Sequence, residues 1–103
     1  MNNTYTYQLI LGEDYNIVKT GNITTGYEWQ YTLEPITGDM KVTSVYSSNT
    51  NFSKSSTYVG APGIWTFNLL PTKIGTVKLT LTYKRPWLTT SSSTDIYLFN
   101  IIQ

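Results

Sequence analysis

The chain has 103 residues, enough for one domain, and with 40% apolar and 15% aromatic residues it can pack a core without covalent staples. Charged residues make up only 13% and balance to a formal +1, so nothing forms the basic face that nucleic acid requires. Cys and His are both absent, which removes disulfides, thiolate chemistry, the commonest general base and the commonest metal ligand together.

The first residues, Met1-Asn2-Asn3-Thr4-Tyr5, carry no basic stretch, no long apolar run and no small-residue cleavage site. No apolar run reaches the roughly 20 residues of a membrane-spanning helix. The expectation is a cytosolic chain that keeps off membranes, and the lack of Cys is compatible with the cytosol and with secretion. Short strands then alternate with turn signals at roughly the 8–12-residue spacing of an all-β sandwich. A first strand is expected over about Tyr5 to Leu11 and a second over about Tyr15 to Thr20, joined by Gly12-Glu13-Asp14. A third runs from about Tyr27 to Leu33, with Tyr27, Trp29, Tyr31 and Leu33 on one face. A fourth runs from about Met40 to Ser47, after a turn spanning Glu34 to Asp39.

The fifth strand covers about Ile64 to Leu70, with Trp65, Phe67 and Leu69 on one face. Pro71 to Gly75 reads as the next turn. The sixth covers about Thr76 to Tyr83, where Val77, Leu79, Leu81 and Tyr83 lie opposite Lys78, Thr80 and Thr82. Side chains two apart point the same way, so these sets are read as core faces. The seventh, about Thr94 to Ile102, is less clean because Ile96 and Leu98 compete with Tyr97, Phe99 and Ile101; burial on both faces or a bulge would account for it. The whole is expected to be a single all-β domain over residues 1–103. It reads as an immunoglobulin-like β-sandwich of about seven strands with no disulfide, in which Trp29 fills the core.

If every strand reverses direction, the second, fourth and sixth connections share one end. The other three carry the Gly, Pro and Asp chemistry of plain turns. The shared set is richer: Gly21 to Gly26, Ser48 to Gly63, and Lys84 to Ser93. Loops at one end of a sandwich converge into one surface.

Three motifs stand in those loops: Asn22-Ile23-Thr24-Thr25-Gly26-Tyr27-Glu28-Trp29, then Gly60-Ala61-Pro62-Gly63, then Arg85-Pro86-Trp87. Their order and spacing resemble the chagasin-type inhibitors of papain-like cysteine proteases, whose loops read N-P-T-T-G-Y-x-W, G-x-G-G and R-P-W. The resemblance implies an immunoglobulin-like sandwich and a reversible, tight-binding inhibitor that is not an enzyme. It implies that Asn22, Ile23, Thr24, Thr25 and Gly26 enter the catalytic centre of the target, with Thr24, Thr25 and Gly26 over its Cys and His. Gly60, Ala61, Pro62 and Gly63 would lie along the non-primed side. Arg85, Pro86 and Trp87 would lie along the primed side, with Trp87 on an aromatic residue of the enzyme. The implied partner is a papain-like cysteine protease, with no cofactor, metal, nucleic acid or membrane, and the protein is expected to be a monomer.

Chemistry at these positions is consistent with those roles. Asn22 can shape an Asx-turn, and Gly26 permits positive φ where the loop re-enters the third strand. Pro86 fixes φ and presents Trp87 with little entropy left to lose, and Trp and Arg are the commonest interface hot spots. Two residues depart from the motifs. Ile23 stands where the family has Pro, which frees φ, and Pro62 stands where it has Gly, which removes an N–H and forbids positive φ.

Each reading has a plainer rival. Tyr27, Trp29, Trp65 and Phe67 fit a core better than a contact surface. Glu13, Asp14, Glu28, Glu34, Asp39 and Asp95 are expected in turns or on outward faces as solvated charge, and not as a catalytic pair. Asn2, Asn22 and Asn51 begin N-x-S/T sequons that chance explains in so Asn-, Ser- and Thr-rich a chain, and a glycan on Asn22 would obstruct the first loop. The alternative function is a carbohydrate-binding or adhesion sandwich, which would want a flat aromatic platform with nearby carboxylates. A purely structural module is a third reading, and it leaves the loops unexplained.

Overall fold

The computed structural model describes residues 2–21, 26–48, 63–88 and 93–103. Among them are seven strands: β1 (Asn2–Ile10), β2 (Tyr15–Gly21), β3 (Glu28–Pro35), β4 (Asp39–Ser48), β5 (Gly63–Lys73), β6 (Gly75–Lys84) and β7 (Ser93–Ile102). They form a four-stranded sheet in the order β1-β7-β6-β3 and a three-stranded sheet in the order β2-β5-β4. The expected all-β sandwich is therefore what the chain adopts. β1 pairs β7 in parallel, and every other pairing is antiparallel. Odd-numbered strands thus run one way and even-numbered strands the other, so the ends of β2, β4 and β6 and the starts of β3, β5 and β7 share one end of the domain.

The core follows from alternation on the two central strands. Along β5, Trp65, Phe67, Leu69 and Pro71 point inward, and along β6 Val77, Leu79 and Leu81 meet them. Phe67, Leu69, Val77, Leu79, Leu81, Phe99 and Ile101 have no exposed surface. Burying an aliphatic or Phe side chain of this kind contributes about 1.5–3 kcal/mol. At the far end the Thr76 carbonyl accepts N–H groups from Ile36, Thr37 and Gly38 at 3.0–3.1 Å, and the Thr76 N–H donates to Thr37 Oγ1 at 2.8 Å. These bonds tie the β3–β4 turn to the start of β6.

Several expectations are corrected. The turn read at Pro71 to Gly75 is mostly strand, since β5 runs on to Lys73. Pro71 is buried opposite Met40, while Lys73 pairs with Asp39, leaving Thr72 as the extra residue of a bulge. A bulge is where an interior strand tolerates a residue with no N–H. In β7, Tyr97, Phe99 and Ile101 face inward, with Ile96 and Leu98 half-buried on the other face; its pairings with β1 and β6 show no register shift, so there is no bulge. Tyr31, expected in the core, is 41% exposed because β3 is an edge strand; its ring meets Phe67 edge-on at 6.1 Å. Trp29 is only partly buried for the same reason, and the tryptophan that fills the core is Trp65.

Asp95 is the largest correction. It shares the inward face of β7 and is 6% exposed, not solvated. Lys19 of β2 reaches across from the other sheet and donates to its Oδ2 at 2.5 Å, while Asn3 Nδ2 donates to Oδ1 at 3.2 Å. The Lys19 ammonium also lies 5.3 Å from the ring centroids of Trp29 and Tyr97. Burial pulls the Lys19 pKa down, but hydrogen bonding to Asp95 and Tyr97 more than offsets it, and the net shift is upward. The Tyr97 hydroxyl is pushed up chiefly by burial, with Lys19 acting against the shift.

Candidate functional site

The end of the domain from which residues 22–25, 49–62 and 89–92 connect rests on a floor of aromatic rings. The rings come from different strands because each sits near a strand end and points inward. Tyr83, close to the end of β6, is at the centre: Trp29 lies 5.0 Å from it, Tyr27 is stacked on it at 5.1 Å, and Trp65 meets it edge-on at 6.4 Å. Tyr46 of β4 packs on Trp65 at 4.6 Å. Trp29 Nε1 donates to the Thr20 carbonyl at 3.1 Å, pinning the start of β3 to the end of β2 across the two sheets. The paired glycines Gly21 and Gly63 leave room for these rings. A Cβ on Gly21 would fall 2.7 Å from Tyr83 Cε1, and one on Gly63 would overlap the Tyr46 ring.

On this floor stands the turn Arg85-Pro86-Trp87-Leu88, closed by the Leu88 N–H donating to the Arg85 carbonyl at 3.0 Å. Pro86 occupies the second turn position, which its ring presets. Trp87 keeps a negative φ, as a type I turn requires at its third position. The indole is 70% exposed, and Leu88 beside it is also exposed.

Gly26 faces this turn with φ +85°, the left-handed conformation expected where the first loop re-enters β3. A Cβ there would lie 2.9 Å from Trp87 Cη2 and 3.7 Å from Arg85 Cγ, so the glycine admits the third loop's side chains against the first. Gly26→Ala is expected to cost about 1–2 kcal/mol in a urea melt, from the left-handed penalty on an L-residue. It should also move the Trp87 indole N–H resonance. An unchanged melt and resonance would mean that the two segments do not touch.

Of the residues singled out in the sequence, the structure brings Gly26, Arg85, Pro86 and Trp87 together at this end. Gly63, read as part of the second loop, is the buried first residue of β5 under Tyr46. Asn22, Ile23, Thr24, Thr25, Gly60, Ala61 and Pro62 lie outside the described residues, as does Asn51. Sequence reasoning missed the Lys19–Asp95 pair one layer below the floor; the inward parity of Asp95 with Tyr97 and Phe99 was the available signal. Among the described residues no group of Asp and Glu is arranged to hold a metal.

The family model described as chagasin family peptidase inhibitor I42 matches residues 8–101. No curated protein sequence matches the chain significantly. Among solved structures, the chain is similar to the cysteine protease inhibitor EhICP2 from Entamoeba histolytica, at 24% identity and a TM-score of 0.76 over 98% of this chain and 94% of that one. It is also similar to Amebosin, at 23% identity and a TM-score of 0.71, covering 97% and 98% of the two chains. A third likeness is to PbICP-C, solved in complex with falcipain-2, at 20% identity and a TM-score of 0.74 over 99% and 90%.

Proposed function

The chain belongs to the chagasin family of peptidase inhibitors, so it acts as a protease inhibitor and not as an enzyme, and we propose that it occludes the cleft of papain-like cysteine proteases with the loop-bearing end of its sandwich. The observation that carries this reading is Trp87. It stands 70% exposed on a proline-fixed turn, against the glycine where the first loop ends. A rigid, desolvatable aromatic beside a closely approaching backbone is the anatomy of an interface hot spot.

In this reading Thr24, Thr25 and Gly26 lie over the target's catalytic Cys and His, the small Thr side chains letting the backbone enter a narrow cleft. Residues 60–63 follow the non-primed side, and Pro62 withholds the N–H that a glycine would offer there. Trp87 covers the primed rim. Binding in this reading is reversible occlusion, and with no Cys the chain can form no disulfide with the target's thiol. The complex of PbICP-C with falcipain-2, and the likeness to the cysteine protease inhibitor EhICP2, support a protease as partner. The sugar-binding alternative is the weaker reading, because Tyr27 and Trp29 both pack against Tyr83, one stacked and one tilted, instead of forming an open platform.

Titration of papain with the purified protein tests this. Activity is expected to fall at submicromolar inhibitor and to return on dilution with the inhibitor intact. Full activity at excess protein would end the proposal. Recovery accompanied by cleavage of the inhibitor would contradict occlusion and point to a substrate-like mode.

A further inference from the structure

We infer that Arg85 is a positioning residue: it clamps the exit of the first loop to the base of the third, and its main work is done before any target arrives. The antiparallel register of β3 and β6 ends with Glu28 opposite Lys84, so the next pair outward is Tyr27 opposite Arg85. There the ladder continues through side chains. The Arg85 guanidinium carbon lies 4.9 Å from the Tyr27 ring centroid, and that ring is itself stacked on Tyr83 at 5.1 Å with 30° between planes. The aliphatic stem passes 3.7 Å from where a Cβ on Gly26 would sit. A planar guanidinium on an aromatic face is attractive through the ring quadrupole and covers apolar surface at the same time.

The same residue begins the turn that presents Trp87, because its carbonyl accepts the Leu88 N–H. One arginine therefore fixes the third loop through its backbone and the first loop through its side chain. This positioning role is separate from the expectation that Arg85 lies along the primed side of the target.

This inference rests on the inhibitory reading above for its consequence, but not for its first test. Backbone 15N relaxation of the free protein is measured for wild type, Arg85→Met and Arg85→Lys. Arg85→Met keeps the stem and loses the cation; it should lower the order parameters of the Gly26 and Tyr27 amides with little change in melting temperature, and Arg85→Lys should restore most of the loss. Against papain, Arg85→Met and Tyr27→Leu should each weaken inhibition by about fivefold. The double variant should be no worse than either, while Tyr27→Phe stays near wild type. Unchanged order parameters, or losses that multiply in the double variant, would overturn the inference, the second by showing two independent contacts with the enzyme. If wild type fails to inhibit papain, the proposed function falls while the relaxation data still decide the clamp.

Discussion

Lys19→Met is expected to lower stability by about 3 kcal/mol or more, a fall in melting temperature of roughly 12–24 °C for a domain of this size. The reason is asymmetry within the pair. Removing the ammonium leaves Asp95, 6% exposed, with only the Asn3 amide among the described residues donating to its carboxylate. Removing the carboxylate is milder: Lys19 keeps 17% of its side chain exposed and has a stem long enough to carry the charge to water. Asp95→Asn should therefore cost about 1–2 kcal/mol. Replacing both with apolar residues should recover much of the loss, since a buried pair seldom outperforms well-packed hydrophobic side chains. Thermal melts of the three variants check the ordering, and Lys19→Met melting like wild type would mean that Asp95 is solvated after all.

The alkaline limb carries a second signature of the same cluster. The folded state holds its protons on Lys19 and Tyr97 more tightly than the unfolded chain does, because both pKa values are raised. The Lys19 contribution is fully present below the ordinary lysine value of about 10.4 and is lost as pH rises through the higher folded value. Tyr97 acts in the same direction, since the unfolded tyrosine ionises first, near pH 10. Wild-type stability should accordingly fall above about pH 10; Lys19→Met removes the lysine part of that fall but enlarges the tyrosine part, because Lys19 no longer opposes the upward shift of Tyr97, so the fall should persist.

Trp87→Ala is expected to weaken papain inhibition by about thirtyfold, equivalent to about 2 kcal/mol, while leaving the melting temperature within a few degrees of wild type. The indole contributes little to the fold at 70% exposure and offers a rigid apolar surface to a partner. Trp29→Ala should do the reverse. It removes the Nε1 bond to Thr20 and a ring from the floor, at about 2–4 kcal/mol of stability. That is less than the about 3–5 kcal/mol expected for Trp65→Ala in the core proper. Parallel melts and inhibition assays separate presentation from packing. A Trp87 variant that melts early and inhibits normally would mean that the indole belongs to the fold.

β5 and β6 were legible in the sequence because each is flanked on both sides and buries one face, so strict alternation survives in Trp65-Phe67-Leu69 and Val77-Leu79-Leu81. Tyr31 and Trp29 have the same alternation on β3, but an edge strand exposes what a central strand hides, and edge position is a property of the whole sheet. Pro71 looked like a turn because proline usually ends strands; a bulge that sequence spacing does not announce lets it stay inside one. Asp95 was misread because its burial depends on a lysine 76 residues away. At the loop end, the positive φ of Gly26 and the turn at Pro86 followed from residue type alone. The stacking of Arg85 on Tyr27 did not, because it needs the register that places Glu28 opposite Lys84.

Amide hydrogen exchange of the inhibitor, free and bound to papain, tests the central claim most directly, because it reads which end of the sandwich meets the enzyme. The account predicts new protection at residues 26–27 and 85–88, and none at residues 11–14 or 36–38 at the opposite end. Protection confined to that opposite end, or spread along an outer sheet face, would contradict it.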